Sequence, residues 1–333
     1  MSVRLEIARR LEAGTWRGPL ARGLATGWGA LASRSLARPL VWPAEVKGIA
    51  IGGATLGGGG KTPLAIACTA WLAAQGARAA YVGHGYRARP GLARFVSPAD
   101  PLAEVGDEAL LAARALAGQA FVVVAPSRQA AVDLAATRAD VLVVDGVLQT
   151  TPRRASLSLL ALGEEPWSRA LPPAGDLRAP RAALLAACDH PVQLRPDARY
   201  ETGGAAVPLV VPIRSRGAFH GGEFLLWSAL APLRVGLFTA LAHPSRVLGA
   251  LAREGVVPID HVAAADHGPA PTRRRFLAPG RVDLWLASPK CALHLEAARI
   301  PHAVLEHGLS IPPSLAGVLR THLGALTPLG GRR

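Results

Sequence analysis

Lysine is almost missing from this chain. Of 37 basic side chains in 333 residues, the lysines are Lys47, Lys61 and Lys290, and the rest are arginines. The net charge of +14 would suit an acidic partner such as nucleic acid, an anionic membrane or a phosphorylated substrate. A composition biased towards arginine and alanine produces the same surplus, so charge alone selects none of them. Cysteine is scarce too: Cys68, Cys188 and Cys291 lie far apart, with no Cys-x-x-Cys pair. That argues against a disulfide framework or a zinc site and points to a reducing compartment. Aromatic residues make up 5% and the arginines are scattered, which places nucleic-acid binding last. No unbroken apolar run is long enough to span a bilayer and no signal-peptide pattern opens the chain, so the expected location is cytoplasmic. Apolar side chains are plentiful, at 50%, enough for two domains or for one large domain with a lobe attached.

One of the three lysines stands where lysine carries chemistry. Thr55-Leu-Gly-Gly-Gly-Gly-Lys-Thr-Pro63 follows an apolar segment, 46–51, read as a buried parallel strand. It precedes 64–72, read as a helix. Strand, glycine loop, Gly-Lys-Thr and helix form the arrangement that binds a nucleoside triphosphate. Gly57, Gly58, Gly59 and Gly60 let backbone N–H groups close around phosphate oxygens without a Cβ in the way. The helix N-terminus adds partial positive charge and free donors. Lys61 would reach the β- and γ-phosphates, and the Thr62 hydroxyl would ligate Mg²⁺. The spacing is unusual, because the common formula wants glycine where Thr55 stands. The bland alternative is a glycine-rich surface turn that contains a lysine.

Residues 1–45 carry Arg4, Arg9, Arg10, Arg17, Arg22, Arg34 and Arg38, with Trp16, Trp28 and Trp42 among leucines and alanines. This reads either as an interfacial membrane segment or as an amphipathic helix packed on the core. Beyond it, strands at 77–82, 121–125, 141–144 and 157–162 alternate with helices at 106–116 and 128–137. Such alternation implies a parallel sheet covered on both faces, with functional residues at the carboxyl ends of the strands. The loop at 57–62, His84, Asp107 and Asp145 all fall at such ends. Asp145 after Val-Leu-Val-Val has the place of a Mg²⁺-organising carboxylate, or of a turn aspartate. Asp107 and Glu108 could simply charge a helix N-terminus favourably. A proline-rich stretch, 163–181, reads as a connection or a substrate-side loop. A second alternation follows, with strands at 234–239, 256–262, 282–287 and 302–305, a helix at 245–253 and a closing helix at 312–323. His267, after Asp266 on a polar loop, is either a catalytic or a solvated histidine.

Taken together, these motifs resemble the tetraacyldisaccharide 4'-kinase family of lipid A assembly. Thr55 to Pro63 is similar to its P-loop, in which a small hydroxyl residue replaces the first glycine. Gly85-Tyr86 looks like the end of its Ser-Arg-Gly-Tyr stretch, Gly106-Asp107-Glu108 its Gly-Asp-Glu segment, and Arg128 with Ala130-Ala131 its next helix start. Leu171 to Pro180 is close to its Leu-Pro-Ala-Gly-Pro-Leu-Arg-Glu-Pro stretch. Ala240 to Arg246 resembles its Gly-Ile-Ala-x-Pro-x-Arg element, and Asp266-His267 its Asp-His loop. The chain departs from the pattern at Gly83-His84, where the family has Ser-Arg. It departs again at Asp145-Gly146, which keeps one aspartate of two, at Thr150 and Ala155-Ser156, and at Pro289-Lys290-Cys291.

The resemblance implies an α/β fold: a P-loop NTPase-like parallel sheet with helices on both faces, plus a smaller α/β second domain hinged to it. The expected division is a basic segment at 1–45, a phosphate-binding domain at 46–165 and a second domain at 166–333. It further implies transfer of the γ-phosphate of ATP to the 4'-hydroxyl of an acylated disaccharide 1-phosphate, with peripheral attachment to an anionic inner-membrane surface; no protein partner is inferred. By the same carry-over Asp107 would accept the hydroxyl proton with His267 as its partner. Thr55, the four glycines and Lys61 would hold ATP, and Thr62 and Asp145 would organise Mg²⁺. Two other readings stand beside it. One is a membrane-bound P-loop ATPase switch, whose signature lysine is Leu56 here. The other is a catalytically impaired paralogue that binds nucleotide or lipid.

Overall fold

The strand Val-Leu-Val-Val-Asp at 141–145 is buried at every position, which only the centre of a sheet covered on both faces allows. The computed structural model describes residues 16, 18–36, 40–85, 88, 90–148, 155–163, 170–196, 208–277 and 281–324. Expectations resting on 1–15, Arg17, Arg38, Tyr86 and Gln149-Thr150 lie outside the described residues. After a helix α1 (Pro19–Leu36), the chain runs β1 (Lys47–Gly53), α2 (Lys61–Ala74), β2 (Ala79–Val82), β3 (Arg94–Phe95), α3 (Leu102–Val105), α4 (Asp107–Ala115), β4 (Phe121–Val124), α5 (Arg128–Ala136), β5 (Val141–Asp145), β6 (Leu157–Gly163), α6 (Arg181–Ala186), β7 (His190–Pro196) and β8 (Leu209–Arg214). It continues through β9 (Gly217–His220), β10 (Glu223–Leu226), α7 (Trp227–Leu230), β11 (Val235–Thr239), α8 (Pro244–Arg253), β12 (Asp260–Ala263), β13 (Leu284–Ala287), α9 (Pro289–Ala297), β14 (Ala303–Leu305), β15 (Gly308–Leu309) and α10 (Pro313–Leu323).

Two sheets organise these elements. The first has nine strands in the order β15-β8-β7-β6-β1-β5-β2-β4-β3. Its seven inner strands run parallel and the short edges β15 and β3 are antiparallel. Ile49, Ile51, Leu64, Leu72, Tyr81 and Leu116 pack one face, and Ala50, Val82, Val132 and Val144 pack the other. Each fully buried leucine or isoleucine contributes about 1.5–3 kcal/mol, so the sheet is a rigid base for whatever its strand ends carry. The strand order reverses around β1, with β5 on one side and β6 on the other, so the loop after β1 opens at the crevice where such sheets bind ligands.

The second sheet, β10-β9-β14-β13-β11-β12, is parallel from β12 to β14 and antiparallel beyond. Its extent corrects the expected boundary at 165/166. β7, β8 and β15 belong to the first sheet, and α10 packs back on it through Leu315 and Leu319. The second unit is therefore an insertion between β8 and β15. The two chain crossings meet at Arg216 and Glu306, joined at 2.7 Å. Strand pairing decided this, and pairing partners far apart in sequence leave no local signal. The expected strand at 256–262 also shortens to β12, because 256–259 lie outside the ladder.

Candidate active site

Gly60 caps α2 with φ +73° and, among the described residues, no side chain caps it, so the N–H groups of Lys61 and Thr62 remain for a ligand. A Cβ there would lie 2.0 Å from Leu194 Cδ1, and Gly57 and Gly58 also have positive φ. Glycine is required by both backbone and space. The Thr55 hydroxyl donates to the Gly57 carbonyl at 2.8 Å, so the residue that departs from the common formula closes its own loop. The neighbouring 171–180 loop braces the same stretch: Leu56 N–H donates to the Asp176 carbonyl at 2.8 Å. From the second unit, Arg246 Nη1 donates to the Gly58 carbonyl at 2.8 Å.

Adjacent to Ile51 in the ladder, Asp145 ends β5. Its Oδ2 accepts the Thr62 hydroxyl at 2.6 Å and the Tyr81 hydroxyl at 2.8 Å. Burial, then the charges of Asp145 and Glu108, push the Tyr81 phenol well up, so it stays a donor. Asp145 Oδ1 is buried with no hydrogen-bond partner among the described residues. A carboxylate oxygen left over beside a P-loop hydroxyl fits Mg²⁺. Among the described residues no cluster of three His, Cys, Asp or Glu forms a protein cage, and Mg²⁺ with phosphates needs none.

The second half of the site sits on α4. Gly106, at φ +84°, turns the chain so that Asp107 opens the helix, 3% exposed. His267 Nδ1 lies 2.7 Å from Asp107 Oδ1, His294 Nε2 3.2 Å from Oδ2 and Lys290 Nζ 3.1 Å from His267 Nε2. His267 is held with φ +55°, its N–H bonded to the Ala240 carbonyl at 3.1 Å. Positive φ is uncommon in a histidine and marks a position the surroundings impose. Burial pushes the Asp107 carboxyl up, but the hydrogen bonds of His267 and His294 and the charge of Lys290 outweigh it, and the group is held well below the usual carboxylate range. Burial lowers Lys290, and Asp107, Asp266 and Glu108 more than reverse that.

A profile of the family described as "Tetraacyldisaccharide-1-P 4'-kinase" matches residues 24–277. The chain belongs to that family. The tetraacyldisaccharide 4'-kinase of Methylobacterium sp. (strain 4-46) is 35% identical over 90% of this chain and 90% of its own length. That of Methylobacterium radiotolerans is 34% identical over 86% of each. A solved structure of LpxK from Aquifex aeolicus, described as an "apo" form in complex with ATP, covers 90% of this chain and 93% of its own at TM-score 0.63 and 19% identity, which establishes the shared fold. Family membership makes the chain a kinase of lipid A assembly that acts at the 4' position of an acylated disaccharide.

Within this family frame the structure brings Thr62 to Asp145 and His267 to Asp107, each pair distant in sequence. His84 lies half-buried, its imidazole lowered by burial and by the charge of Arg128. The sequence alone does not mark Tyr81, Asp176, Arg246, Lys290 or His294 as site residues. The i, i+4 spacing of Lys290 and His294 puts both on one helix face, which was a readable signal. Nothing local ties that face to Asp107.

Proposed function

We propose that this chain transfers the γ-phosphoryl group of ATP to the 4'-hydroxyl of a tetraacyldisaccharide 1-phosphate, giving ADP and the 4'-phosphorylated lipid. The observation that carries this is the position of Glu108 between the two halves. Burial raises its carboxyl, Asp145 adds to the rise, and Lys290, Lys61 and His267 oppose it. Its Oε1 lies 4.0 Å from Lys290 Nζ and from His267 Nε2, and its carboxyl also feels the charges of Asp145 and Lys61, so this side chain faces both halves.

The free N–H groups at the head of α2 receive phosphate oxygens, and Lys61 neutralises charge on the β- and γ-phosphates. Thr62 and Asp145 would hold Mg²⁺, which supplies further charge neutralisation on the transferring group. Asp107, kept ionised by its neighbours, accepts the proton as the 4'-oxygen bonds to the γ-phosphorus and the bond to the β–γ bridging oxygen breaks. His267 holds the carboxylate in register. The polar partners of Asp107 among the described residues, His267, His294 and Lys290, come from the second unit, so the acceptor would reach Asp107 by displacement of that unit about the Arg216–Glu306 crossing.

Transfer of labelled γ-phosphate to tetraacyldisaccharide 1-phosphate in mixed micelles tests the reading. The unaltered chain is expected to label the lipid at the 4' position, and Asp107→Ala to abolish labelling while nucleotide binding persists. Full activity in Asp107→Ala would remove Asp107 from the role of base.

Peripheral attachment to an anionic membrane belongs to the same reading. No described helix is long and apolar enough to cross a membrane. In α1, Ala21 is buried and Gly29 faces Leu171 and Pro180, whereas Leu20, Leu24, Trp28 and Leu31 are exposed at helical spacing. One face packs and the neighbouring apolar face is left for a lipid surface. Flotation with vesicles containing anionic lipid should carry the protein upward, and Leu24→Glu with Leu31→Glu should leave it at the bottom.

A further inference from the structure

We propose that His294 is a positioning residue for the reacting carboxylate, a second imidazole that holds Asp107 alongside His267. The inference rests on the reading of Asp107 as the base. It concerns how that base is held.

The geometry is specific. His267 Nδ1 approaches Asp107 Oδ1 at 2.7 Å and Oδ2 at 3.0 Å, and His294 Nε2 approaches Oδ2 at 3.2 Å. A single imidazole would leave the carboxylate free to rotate about its Cβ–Cγ bond. His267 reaches both oxygens and His294 adds a second donor on Oδ2, so two imidazoles together fix the plane. The proton positions follow from the partners. Lys290 can only donate, so His267 Nε2 accepts from it and Nδ1 carries the hydrogen given to Asp107. The carboxylate in turn requires a hydrogen on His294 Nε2. Among the described residues Asp107 Oδ1 accepts from His267 alone, which leaves it lone-pair capacity for a hydroxyl.

The helix that presents His294 is itself held on two sides. Pro289 opens α9 and the Ser288 hydroxyl caps it, accepting the Cys291 N–H at 3.4 Å. Cys291, Ala292 and Leu295 are buried in the core of the second sheet, and Leu293 is buried in the core of the first with Ala109 and Leu110 of α4. His294 is 7% exposed between these layers. A buried imidazole could merely fill space, but this one points its Nε2 at the carboxylate and shares its helix face with Lys290, one turn earlier.

The test compares His294→Leu, which keeps the volume and removes the donor, with His294→Gln, whose amide nitrogen can stand near the Nε2 position. His294→Leu is expected to lower kcat roughly 10- to 100-fold with KM for ATP unchanged, the range typical of a misplaced catalytic group. His294→Gln should recover to within roughly 3-fold of the unaltered chain, and in an Asp107→Asn background His294→Leu should cost nothing further. Equal losses in the Leu and Gln variants, or full activity in His294→Leu, would overturn the role. If Asp107→Asn itself keeps full activity, the reading of the base fails instead, and the two failures are told apart.

Discussion

The phosphate loop takes Thr55 to Thr62 from one unbroken stretch, whereas the carboxylate cluster joins Asp107 to residues 160 and 187 positions away. The loop's shape is dictated by glycines at positive φ and by the helix that follows, all local causes. The cluster exists only when the second sheet docks on α4, through Leu293 in the shared core and the ion pairs of Lys290 with Asp107 and Glu108. Short-range parts pay little closure entropy, while long-range ones persist only when packing offsets it. The two halves should therefore fail differently: the loop through nucleotide affinity, the cluster through transfer and docking.

The largest expected effect tests the loop. Lys61→Ala should cost on the order of 10³-fold in kcat/KM, the scale of removing a preorganised charge from a transferring phosphoryl group. Nucleotide binding, read by calorimetry, should fall with it. A variant that loses transfer but binds ATP normally would break the comparison, because the loop would then be acting like the cluster.

Next comes the residue that joins loop and sheet. Asp145→Asn keeps the volume and a hydrogen-bonding oxygen for Thr62 but removes the charge beside the orphaned Oδ1. Transfer should fall roughly 10²-fold, and the Mg²⁺ concentration needed for half-maximal rate should rise. An unchanged Mg²⁺ dependence would remove Asp145 from the metal-organising role.

How far the sequence reaches follows the same divide. Val141 to Val144 reads as a buried strand because each residue is apolar and β-branched or leucine, and Gly60-Lys61-Thr62 reads as a phosphate loop because strand and helix flank it. His190–Pro196 does not read as a strand, since His190, Pro191, Gln193 and Arg195 hide it, and its place beside β6 is fixed by pairing. Asp107 and His267 could be matched through the family resemblance. His294 could not, because its meaning lies in a contact that only the docked fold creates.

A smaller effect is expected from pH, and it isolates the cluster. Asp107 is held below its ordinary value, so the folded protein binds fewer protons there than the unfolded chain. Its stabilisation is complete above the unfolded carboxylate value, roughly 4, and is lost as pH falls below that towards the folded value. Lys290, held above its ordinary value, contributes fully below roughly 10.4 and loses this as pH rises further. Glu108 is raised and works against stability once ionised, so its own titration relieves the fold before Asp107 begins to weaken it. The Asp107 contribution to the thermal midpoint should therefore be level above pH about 4 and fall on the acid side below it. Asp107→Asn should flatten that acid limb, and an unchanged limb would mean that Asp107 does not tie the two units together.

The smallest effect comes from a pair that spans the same two helices as Asp107 and His294. Arg114 of α4 and Glu296 of α9 form an ion pair, but each side chain is 41% exposed. Water screens the attraction and both long side chains lose rotamer freedom, so such a pair is worth about 0.2–1 kcal/mol. Arg114→Ala with Glu296→Ala should shift the thermal midpoint by a degree or two at low salt and less at high salt, with kcat unchanged. His294, two residues before Glu296, should alter kcat with little change in midpoint for the Gln variant. If the exposed pair instead lowered kcat as His294→Leu does, docking in general would govern transfer and the hold on the carboxylate would have no separate part. If it leaves kcat alone, the same helix contact divides into a tether that water has loosened and a buried grip on the reacting group.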